Sequence, residues 1–335
     1  MIKPPSVSVL LPFYNASETL PECIDSILKQ TLVDFEIIAV DDYSTDDSVA
    51  ILEKYQDERI RIISNHQKGL VAALNHGLTY CRSNYVARMD ADDLMYAERL
   101  QKQRDYLDSK SEVVMLATQV RKFPEEIVQA GYREYIRWQN KCDTAEAISQ
   151  QIYVESPLAH PSVMFRKDRV VSVGGYRQGD FPEDYELWLR LYQHGYVMDK
   201  IPEVLLDWRE SDGRLSRIAP QYSRRAFDLL RAEYLAQDPI IQNRPIVYWG
   251  AGRKTRQRVQ LLIDKGFLPI AWIDVDEKKI GATYSGARVE SPEWLECEQK
   301  PFVLNYVTNH GAREQVRAFL EKRGYRMGED YLDVG

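Results

Sequence analysis

The sequence has little of what several classes of protein require. It has four cysteines in 335 residues and no CxxC pair, so it indicates neither a disulfide framework nor a cysteine-based zinc site, and it favours a reducing compartment. Val7–Phe13 is the apolar run near the N-terminus. It is too short to span a bilayer and has no small-residue cleavage site after it. We therefore expect a cytoplasmic protein, either soluble or attached peripherally to the inner face of the membrane.

Positive charge is also in short supply. The 44 Lys and Arg residues stand against 51 Asp and Glu residues, which gives a net charge of −7. A mildly acidic chain is a poor candidate for binding nucleic acid through its phosphates, so we expect no nucleic-acid partner. Apolar residues make up 44% of the chain, and 21 Tyr and 6 Trp outnumber 9 Phe. This composition predicts a globular protein of two or three domains and gives no indication of its oligomeric state.

Apolar runs alternate with helical patterns along the first part of the chain. They predict strands at Ser6–Leu11, Phe35–Val40, Ile60–Ile63 and Tyr85–Met89. Such alternation is typical of an α/β fold with a mainly parallel sheet covered by helices. Polar clusters follow three of the strands, at Tyr14-Asn15, Asp41-Asp42 and Asp90–Asp93. Because the carboxyl ends of parallel strands meet at one edge of a sheet, we expect a ligand site there.

The third cluster has the pattern of a metal site. Asp90 and Asp92 stand at alternate positions, with Asp93 adjacent. At the end of an extended strand, alternate side chains point the same way. Two convergent carboxylates can hold Mg²⁺ or Mn²⁺ while a diphosphate supplies further oxygens. The alternative is a strand-to-helix turn in which Asp92 or Asp93 caps the following helix.

A second, smaller domain is predicted for residues 239–335, after a first domain at 1–238. Within it, Gly250-Ala251-Gly252 follows a strand and precedes a helix, and Asp274 comes 24 positions after Gly250. This is most of a dinucleotide fingerprint, but Thr255 occupies the place of the third glycine. We expect a small Rossmann-like domain that serves packing, oligomerisation or acceptor contact. The motif still leaves NAD open as a ligand.

The string Tyr85–Asp93, followed by Glu98-Arg99-Leu100, resembles the centre of the family 2 glycosyltransferases of GT-A fold. The likeness spans about residues 5–215, and further motifs follow in family order at Val9–Asn15, Val40–Asp46, Lys68–Gly77, His160–Arg166, Gly174–Arg177 and Glu183–Arg190. It implies a GT-A Rossmann-like mixed sheet, mainly parallel, in a catalytic domain at residues 1–238, with an irregular acceptor-side segment near 121–155. It also implies transfer of a sugar from a nucleotide-sugar donor.

The resemblance implies roles on the donor side. The residues placed there are Pro12, Tyr14, Asn15, Asp41, Asp42, Lys68, Asn75, Arg88 and Asp90. Asp42 would accept a hydrogen bond from the imide of the base, which suits uracil or thymine, and a UDP-sugar is the donor we expect. Asp92 and Asp90 would hold Mn²⁺ or Mg²⁺. The alternative for Asp41 is a local Asx turn with Ser44.

The resemblance implies an acceptor side as well. Asp184 of the Glu183-Asp184 pair would be the base that deprotonates the acceptor hydroxyl, and a single displacement would invert the anomeric carbon. The alternative is that both residues only start a helix. Further residues expected near the acceptor or the diphosphate are His160, Trp188, Arg209 and Arg214-Leu215-Ser216, with the aromatic residues Tyr132, Tyr135, Trp138 and Tyr153 bordering the cleft. The alternative for Trp188 and these four aromatic residues is packing in the core. The family context implies a glycan or lipid-linked saccharide as acceptor, in surface polysaccharide biosynthesis.

Three other functions compete with this hypothesis. A nucleotidyltransferase needs a Gly-rich basic loop near its N-terminus, and Val9–Glu18 contains no Gly, Lys or Arg. An NAD-dependent oxidoreductase built on Gly250–Asp274 needs a catalytic set nearby, and the sequence shows none. A non-catalytic relative is expected to lack Asp92 or Asp184, and both are present.

Overall fold

The computed structural model describes residues 3–211, 217, 219–296, 300–308 and 311–335. The chain forms two compact units, and the first comprises Met1–Ile148 and Ser156–Ala219. The second comprises Ser149–Glu155 and Pro220–Gly335, whereas the sequence places its start at residue 239. Cys297 and Arg214–Ser216 lie outside the described residues.

Within the described residues, the first unit contains a sheet of eight strands. They are β1 (Val7–Phe13), β2 (Phe35–Asp41), β3 (Ile60–Ser64), β4 (Tyr85–Arg88), β5 (Leu94–Met95), β6 (Val113–Phe123), β7 (Met164–Arg166) and β8 (Val197–Arg209). Their order across the sheet is β3-β2-β1-β4-β7-β6-β8-β5. Strands β1 to β4 pair in parallel, as do β6 and β8, while β7 and β5 pair antiparallel with their neighbours.

Helices cover this sheet. Those within the first unit are α1 (Leu20–Leu28), α2 (Ser48–Lys54), α3 (Leu70–Tyr80), α4 (Arg99–Ser109), α5 (Ala130–Lys141), α7 (Lys167–Ser172) and α8 (Glu183–Gln193). Helix α6 (Ala145–Gln151) begins in the first unit, and its residues after Ile148 belong to the second. Helix α1, for example, buries Leu20, Cys23, Ile24 and Ile27, the spacing of one helix face. All seven residues of β1 are buried, as expected of a parallel strand covered on both sides.

The register of the parallel strands gathers their polar ends at one edge. Phe13 pairs with Asp41, and Leu10 pairs with Arg88. The residues that follow β1, β2 and β4 therefore leave the sheet on the same side. The mixed, mainly parallel α/β fold predicted from the sequence is confirmed.

The prediction that residues 121–155 are irregular is wrong, because helices α5 and α6 occupy most of this segment. Helix α5 buries Ile136 and Gln139, and Tyr132 and Tyr135 pack against the core. These four positions form one helix face, but two tyrosines and a glutamine take places where aliphatic residues are usual. The apolar periodicity is therefore weak in the sequence.

The second unit contains a smaller sheet, as predicted. Its described strands are β9 (Ile246–Trp249), β10 (Pro269–Ile273), β11 (Thr283–Tyr284), β12 (Ala287–Glu290), β13 (Phe302–Asn305) and β14 (Tyr331–Asp333), in the order β11-β12-β10-β9-β13-β14. Its described helices are α9 (Arg224–Gln237), α10 (Arg253–Ile263) and α11 (Ala312–Lys322). All neighbouring strands are parallel except β11 and β12.

Two side chains of the second unit bear on the sequence predictions. Tyr153 is fully buried, and its Oη donates a hydrogen bond of 2.7 Å to Asp238 Oδ2. The expectation that Tyr153 borders an acceptor cleft is therefore wrong. Asp274 Oδ2 accepts from the backbone N–H of Ala251 at 2.8 Å and lies 3.1 Å from Lys279 Nζ.

Candidate active site

An acidic cluster follows β4. Carboxylate oxygens of Asp90, Asp92 and Asp93 all lie within 4.8 Å of one another, and Asp93 is fully buried. Helix α1 and the turn before it support this loop, because Cys23 Sγ donates to the carbonyl of Asp90 at 3.3 Å and Thr19 Oγ1 donates to the neighbouring carbonyl of residue 91 at 3.0 Å. Three carboxylates at this spacing suit a single hard divalent cation.

Two arginines lie beside the acidic cluster. Arg88 is 2% exposed and forms an ion pair with Asp90. Burial disfavours its charged form, but the charges of Asp90 and Asp93 outweigh burial and raise the pKa of Arg88 above its usual value. The backbone N–H of Arg209, at the end of β8, donates to Asp93 Oδ1 at 2.7 Å, and its Nε donates to the carbonyl of Asp92 at 2.6 Å. Arg209, expected near the acceptor or the diphosphate, is thus placed at the acidic loop.

The loops after β1 and β2 are joined to each other. The backbone N–H of Asn15 donates to Ser44 Oγ at 3.1 Å, and Asn15 Oδ1 accepts from the N–H of Thr45 at 2.7 Å. Asn15 has a φ of 47°, in the left-handed region that asparagine tolerates. Asp41 Oδ1 accepts from the N–H of Ser44 at 3.0 Å, which is the local turn weighed as the alternative for Asp41. Pro12 is buried within β1.

Asp42 is nearly buried and its carboxylate is held firmly. Both of its oxygens accept from the backbone N–H of Gly69, at 2.8 and 3.0 Å, and Oδ1 also accepts from Asn65 Nδ2 at 2.8 Å. A carboxylate oxygen has two acceptor lone pairs, so these bonds leave acceptor capacity for a further donor. Asn65 and Gly69 are contacts of Asp42 that sequence reasoning did not identify.

Three further residues that the resemblance assigns to the donor side, Tyr14, Lys68 and Asn75, have the following contacts. Lys68 Nζ lies 4.3 Å from the ring centre of Tyr14, a cation–π contact, and Tyr14 is 47% exposed. Asn75, on α3, contacts the backbone of Tyr176: its Nδ2 donates to the carbonyl at 2.8 Å and its Oδ1 accepts from the N–H at 2.9 Å. Asn75 therefore joins α3 to the turn at Gly174–Tyr176.

The acidic pair at the start of α8 forms the second carboxylate group. Glu183 is 5% exposed, and Asp184 Oδ1 accepts from the N–H of Tyr185 at 2.7 Å. Burial, followed by the charge of Glu183, raises the pKa of Asp184 to about 8, although Arg88 acts in the opposite direction. A carboxylate with a raised pKa is a stronger base than ordinary aspartate.

His160 and two aromatic residues lie against this pair. His160 is 6% exposed; its Nε2 is 3.0 Å from Tyr176 Oη, and its Nδ1 is 3.7 Å from Glu183 Oε1. The ring of Trp188 contacts His160 edge-on with centroids 5.8 Å apart, and Trp188 is fully buried. Trp188 therefore reaches the site through His160 and has no exposed face. Burial and the charge of Arg88 hold the pKa of His160 well below its ordinary value.

Two residues near the site carry contacts that the sequence did not reveal. Arg99 is fully buried and its Nη2 donates to the carbonyl of Arg88 at 2.9 Å, which supports the end of β4. Tyr176 is 3% exposed and interacts electrostatically with Arg88, Glu183, Asp184 and Asp90. Arg99 and Tyr176 lie in the motifs Glu98-Arg99-Leu100 and Gly174-Gly175-Tyr176, which contribute to the family resemblance. That resemblance is the sequence signal that could have identified them as site residues.

The sequence matches the family model described as Glycosyl transferase family 2 over residues 8–171. The Amylovoran biosynthesis glycosyltransferase AmsE of Erwinia amylovora is 33% identical over 231 residues, which are 68% of this chain and 82% of that protein. This chain belongs to glycosyltransferase family 2. It is an enzyme that transfers a glycosyl group, as the sequence motifs predicted.

Further likenesses point the same way for this glycosyltransferase. The O-antigen biosynthesis glycosyltransferase WbnJ of Escherichia coli is 30% identical and covers 70% of this chain and 91% of its own length. S. aureus TarS 1-349 in complex with UDP superimposes with a TM-score of 0.53 at 19% identity, over 78% of this chain and 70% of that one. The structural likeness confirms the GT-A fold. The names of these two sequence relatives place those proteins in amylovoran and O-antigen biosynthesis.

Proposed function

We propose that the chain is a metal-dependent, inverting glycosyltransferase that moves a sugar from a UDP-sugar to a hydroxyl of a glycan or lipid-linked acceptor. The observation that carries this proposal is the pairing of two carboxylate groups around Arg88. Asp90, of the acidic cluster, forms an ion pair with Arg88, and Asp184, of the pair at the start of α8, interacts electrostatically with the same guanidinium. The acidic cluster suits a metal ion bound to a diphosphate, and the pair at the start of α8 can supply a base.

The donor nucleotide would bind at the ends of β1 and β2. Asp42 supports this assignment because Gly69 and Asn65 fix its carboxylate, so it could accept the imide N–H of uracil without rearranging. Tyr14 presents a half-exposed ring beside Lys68. A relative 29% identical to this chain, over 71% of it, is the UDP-Gal:alpha-D-GlcNAc-diphosphoundecaprenol beta-1,3-galactosyltransferase of Escherichia coli, which supports both a UDP-sugar donor and a lipid-linked acceptor.

A divalent cation fits the acidic cluster. The oxygens of Asp90, Asp92 and Asp93 are close enough to share one ion, and carboxylates suit Mn²⁺ or Mg²⁺. When bound, such an ion neutralises the charge that develops on the leaving diphosphate. Arg88 and Arg209 hold the loop that carries these carboxylates.

Asp184 would act as the base on the acceptor side. The acceptor oxygen forms a bond to the anomeric carbon while the bond from that carbon to the diphosphate oxygen breaks, and the hydroxyl proton moves to the Asp184 carboxylate. One displacement from the opposite face inverts the configuration. The raised pKa of Asp184, caused by burial and by the charge of Glu183, supports this role.

The experiment is a screen of nucleotide sugars with Mn²⁺, in which release of nucleoside diphosphate is measured for the wild type, Asp92→Ala and Asp184→Asn. We expect release from one or a few UDP-sugars and loss of release in both variants. No binding and no turnover with any donor would refute the proposal.

The role of the second unit and the attachment of the chain to a membrane stay predictions. All of the residues proposed to act lie in the first unit, and we propose a packing or acceptor-contact role for the second. No helix among the described residues is long and apolar enough to cross a membrane. Peripheral attachment to a membrane remains a prediction.

A further inference from the structure

The environment of His160 defines which of its nitrogens carries the proton. His160 is buried between Tyr176, Trp188 and Glu183. Its low pKa, caused by burial and by Arg88, makes the ring neutral at pH 7, so one nitrogen carries a proton and the other accepts. Nε2 faces the Tyr176 hydroxyl at 3.0 Å, and Nδ1 faces a Glu183 carboxylate oxygen at 3.7 Å.

The two neighbours of the ring favour the same tautomer. Burial and the charges of Glu183, Asp184 and Asp90 raise the pKa of Tyr176, so the phenol keeps its proton and can donate it to Nε2. A carboxylate accepts but does not donate, so Glu183 favours a proton on Nδ1. The ring then presents the positive end of its N–H dipole to Glu183.

The surrounding contacts fix this arrangement in place. Asn75 bonds both the N–H and the carbonyl of Tyr176, at 2.9 and 2.8 Å. Trp188 stands edge-on to the His160 ring and is fully buried. The rings of His160 and Tyr176 cannot rotate without breaking these contacts or opening a cavity.

We propose that His160 and Tyr176 are positioning residues of the active site: Tyr176 Oη donates to His160 Nε2, which sets the proton on Nδ1 and directs it to Glu183. The charge of Glu183 is a main cause of the high pKa of Asp184. The contacts from Tyr176 through His160 to Glu183 therefore adjust the strength of Asp184 as a base. This role rests on the proposed function of Asp184. Glu183 and Asp184 interact with each other, and the titratable groups beside them include His160, Tyr176 and Arg88.

The tautomer can be measured without any substrate. In protein labelled with ¹⁵N-histidine, two-bond proton–nitrogen spectra distinguish a protonated from an accepting ring nitrogen, and the His160 signals are assigned by their loss in His160→Gln. We expect Nδ1 protonated and Nε2 accepting at pH 7 to 8, and a mixture of tautomers in Tyr176→Phe. A proton on Nε2 in the wild type, or no change in Tyr176→Phe, would overturn the proposal.

A matched control exists beyond the opposite, C-terminal end of α8. His194 and Tyr196 form another His–Tyr pair, with ring centroids 6.4 Å apart, and His194 is exposed. Tyr196→Phe removes a hydroxyl of the same kind outside the site. We expect it to leave the His160 signals unchanged, and an equal change in both variants would also count against the proposal.

The kinetic arm uses release of UDP from the UDP-sugar that the wild type turns over. We expect Tyr176→Phe to lower kcat by about 3- to 10-fold, the effect of one hydrogen bond, with the donor KM unchanged and the acid limb of the pH profile moved to lower pH. His160→Asn can place an amide N–H near the position of Nδ1, whereas His160→Gln cannot, so we expect the Asn variant to be the more active.

The outcomes separate this proposal from the proposed function. If the wild type turns over no nucleotide sugar, the proposed function fails, and the ¹⁵N spectra still decide the tautomer. If the wild type is active but Tyr176→Phe keeps the wild-type pH profile, or if the two His160 variants are equally impaired, the positioning role is refuted. Binding of UDP to each variant by calorimetry shows that it is folded.

Discussion

Two strand-end loops of this molecule look alike in sequence and differ in structure. Both the cluster after β4 and Asp274 after β10 place carboxylates at the carboxyl ends of parallel strands. In the first unit, Asp90, Asp92 and Asp93 bring three carboxylates within 4.8 Å of one another. In the second, the carboxylate of Asp274 lies 3.1 Å from Lys279 Nζ, and the same ammonium lies 3.3 Å from Asp276 Oδ2, so a cation of the protein already neutralises the carboxylates.

The difference shows that position at the sheet edge is not sufficient for a site. Asp274 accepts from the N–H of Ala251 and pairs with Lys279, so its charge is used to fix the loop between β9 and α10. The acidic cluster has Arg88 beside Asp90 but keeps three carboxylates together, an arrangement that a cation would stabilise.

The largest expected effect is that of Asp92→Ala. Removing a carboxylate from the cluster should lower kcat/KM by about 10³-fold, since the charge on the leaving diphosphate is no longer neutralised. Release of nucleoside diphosphate from the donor measures it. Asp274→Asn is the matched control in the second unit and should retain wild-type turnover; equal losses in both would erase the contrast between the loops.

The second largest expected effect is that of Asp184→Asn, which should lower kcat by about 10²-fold or more, the usual contribution of a general base. Donor binding should be unchanged, because the role we propose for Asp184 is on the acceptor hydroxyl. In the wild type, the pKa of about 8 at Asp184 predicts that activity falls as the pH drops below about 8, since the protonated acid cannot accept a proton. A flat profile from pH 6 to 9 in steady-state kinetics would contradict the assignment.

Asp274→Asn should instead reduce stability. It removes a charge-assisted contact with Lys279 and weakens the acceptor for Ala251, which should lower the free energy of unfolding by about 1–3 kcal/mol. Urea denaturation followed by tryptophan fluorescence measures this change. Glu277→Gln, at an exposed position of the same loop, is the control and should be within about 0.5 kcal/mol of wild type.

The smallest expected effect is that of NADH on the second unit. Lys279 pairs with the acidic residue of the fingerprint, and Thr255 replaces its third glycine, so we expect no change in Tm at millimolar NADH. A stabilising shift in differential scanning fluorimetry that Gly252→Trp abolishes would show a dinucleotide site and would make the two loops functionally alike.

Much of the fold could be predicted because its signals are local. The apolar runs of β1, β2 and β9 and the polar residues after them are adjacent in sequence, and the structure keeps them within a residue or two of the predicted bounds. Helix α5 escaped prediction because its buried face contains Tyr132, Tyr135 and Gln139.

The contacts within the site could not be predicted, because they join distant parts of the chain. Asn75 meets Tyr176 across 101 positions, and Arg209 meets Asp93 across 116. A motif can identify such residues as candidates, but only the packed sheet shows that Asn75 bonds a backbone turn or that Tyr176 faces His160.

Calorimetric titration of UDP into the wild type and into Asp92→Ala, each with Mn²⁺ and with EDTA, tests the central claim most directly. GDP and dTDP serve as comparison nucleotides. The account predicts that the wild type binds UDP tightly with Mn²⁺, that EDTA weakens binding at least tenfold, and that Asp92→Ala binds weakly in both conditions. UDP binding by the wild type that is equally strong in EDTA, or unchanged in Asp92→Ala, would contradict the assignment of the acidic cluster as the diphosphate's metal site.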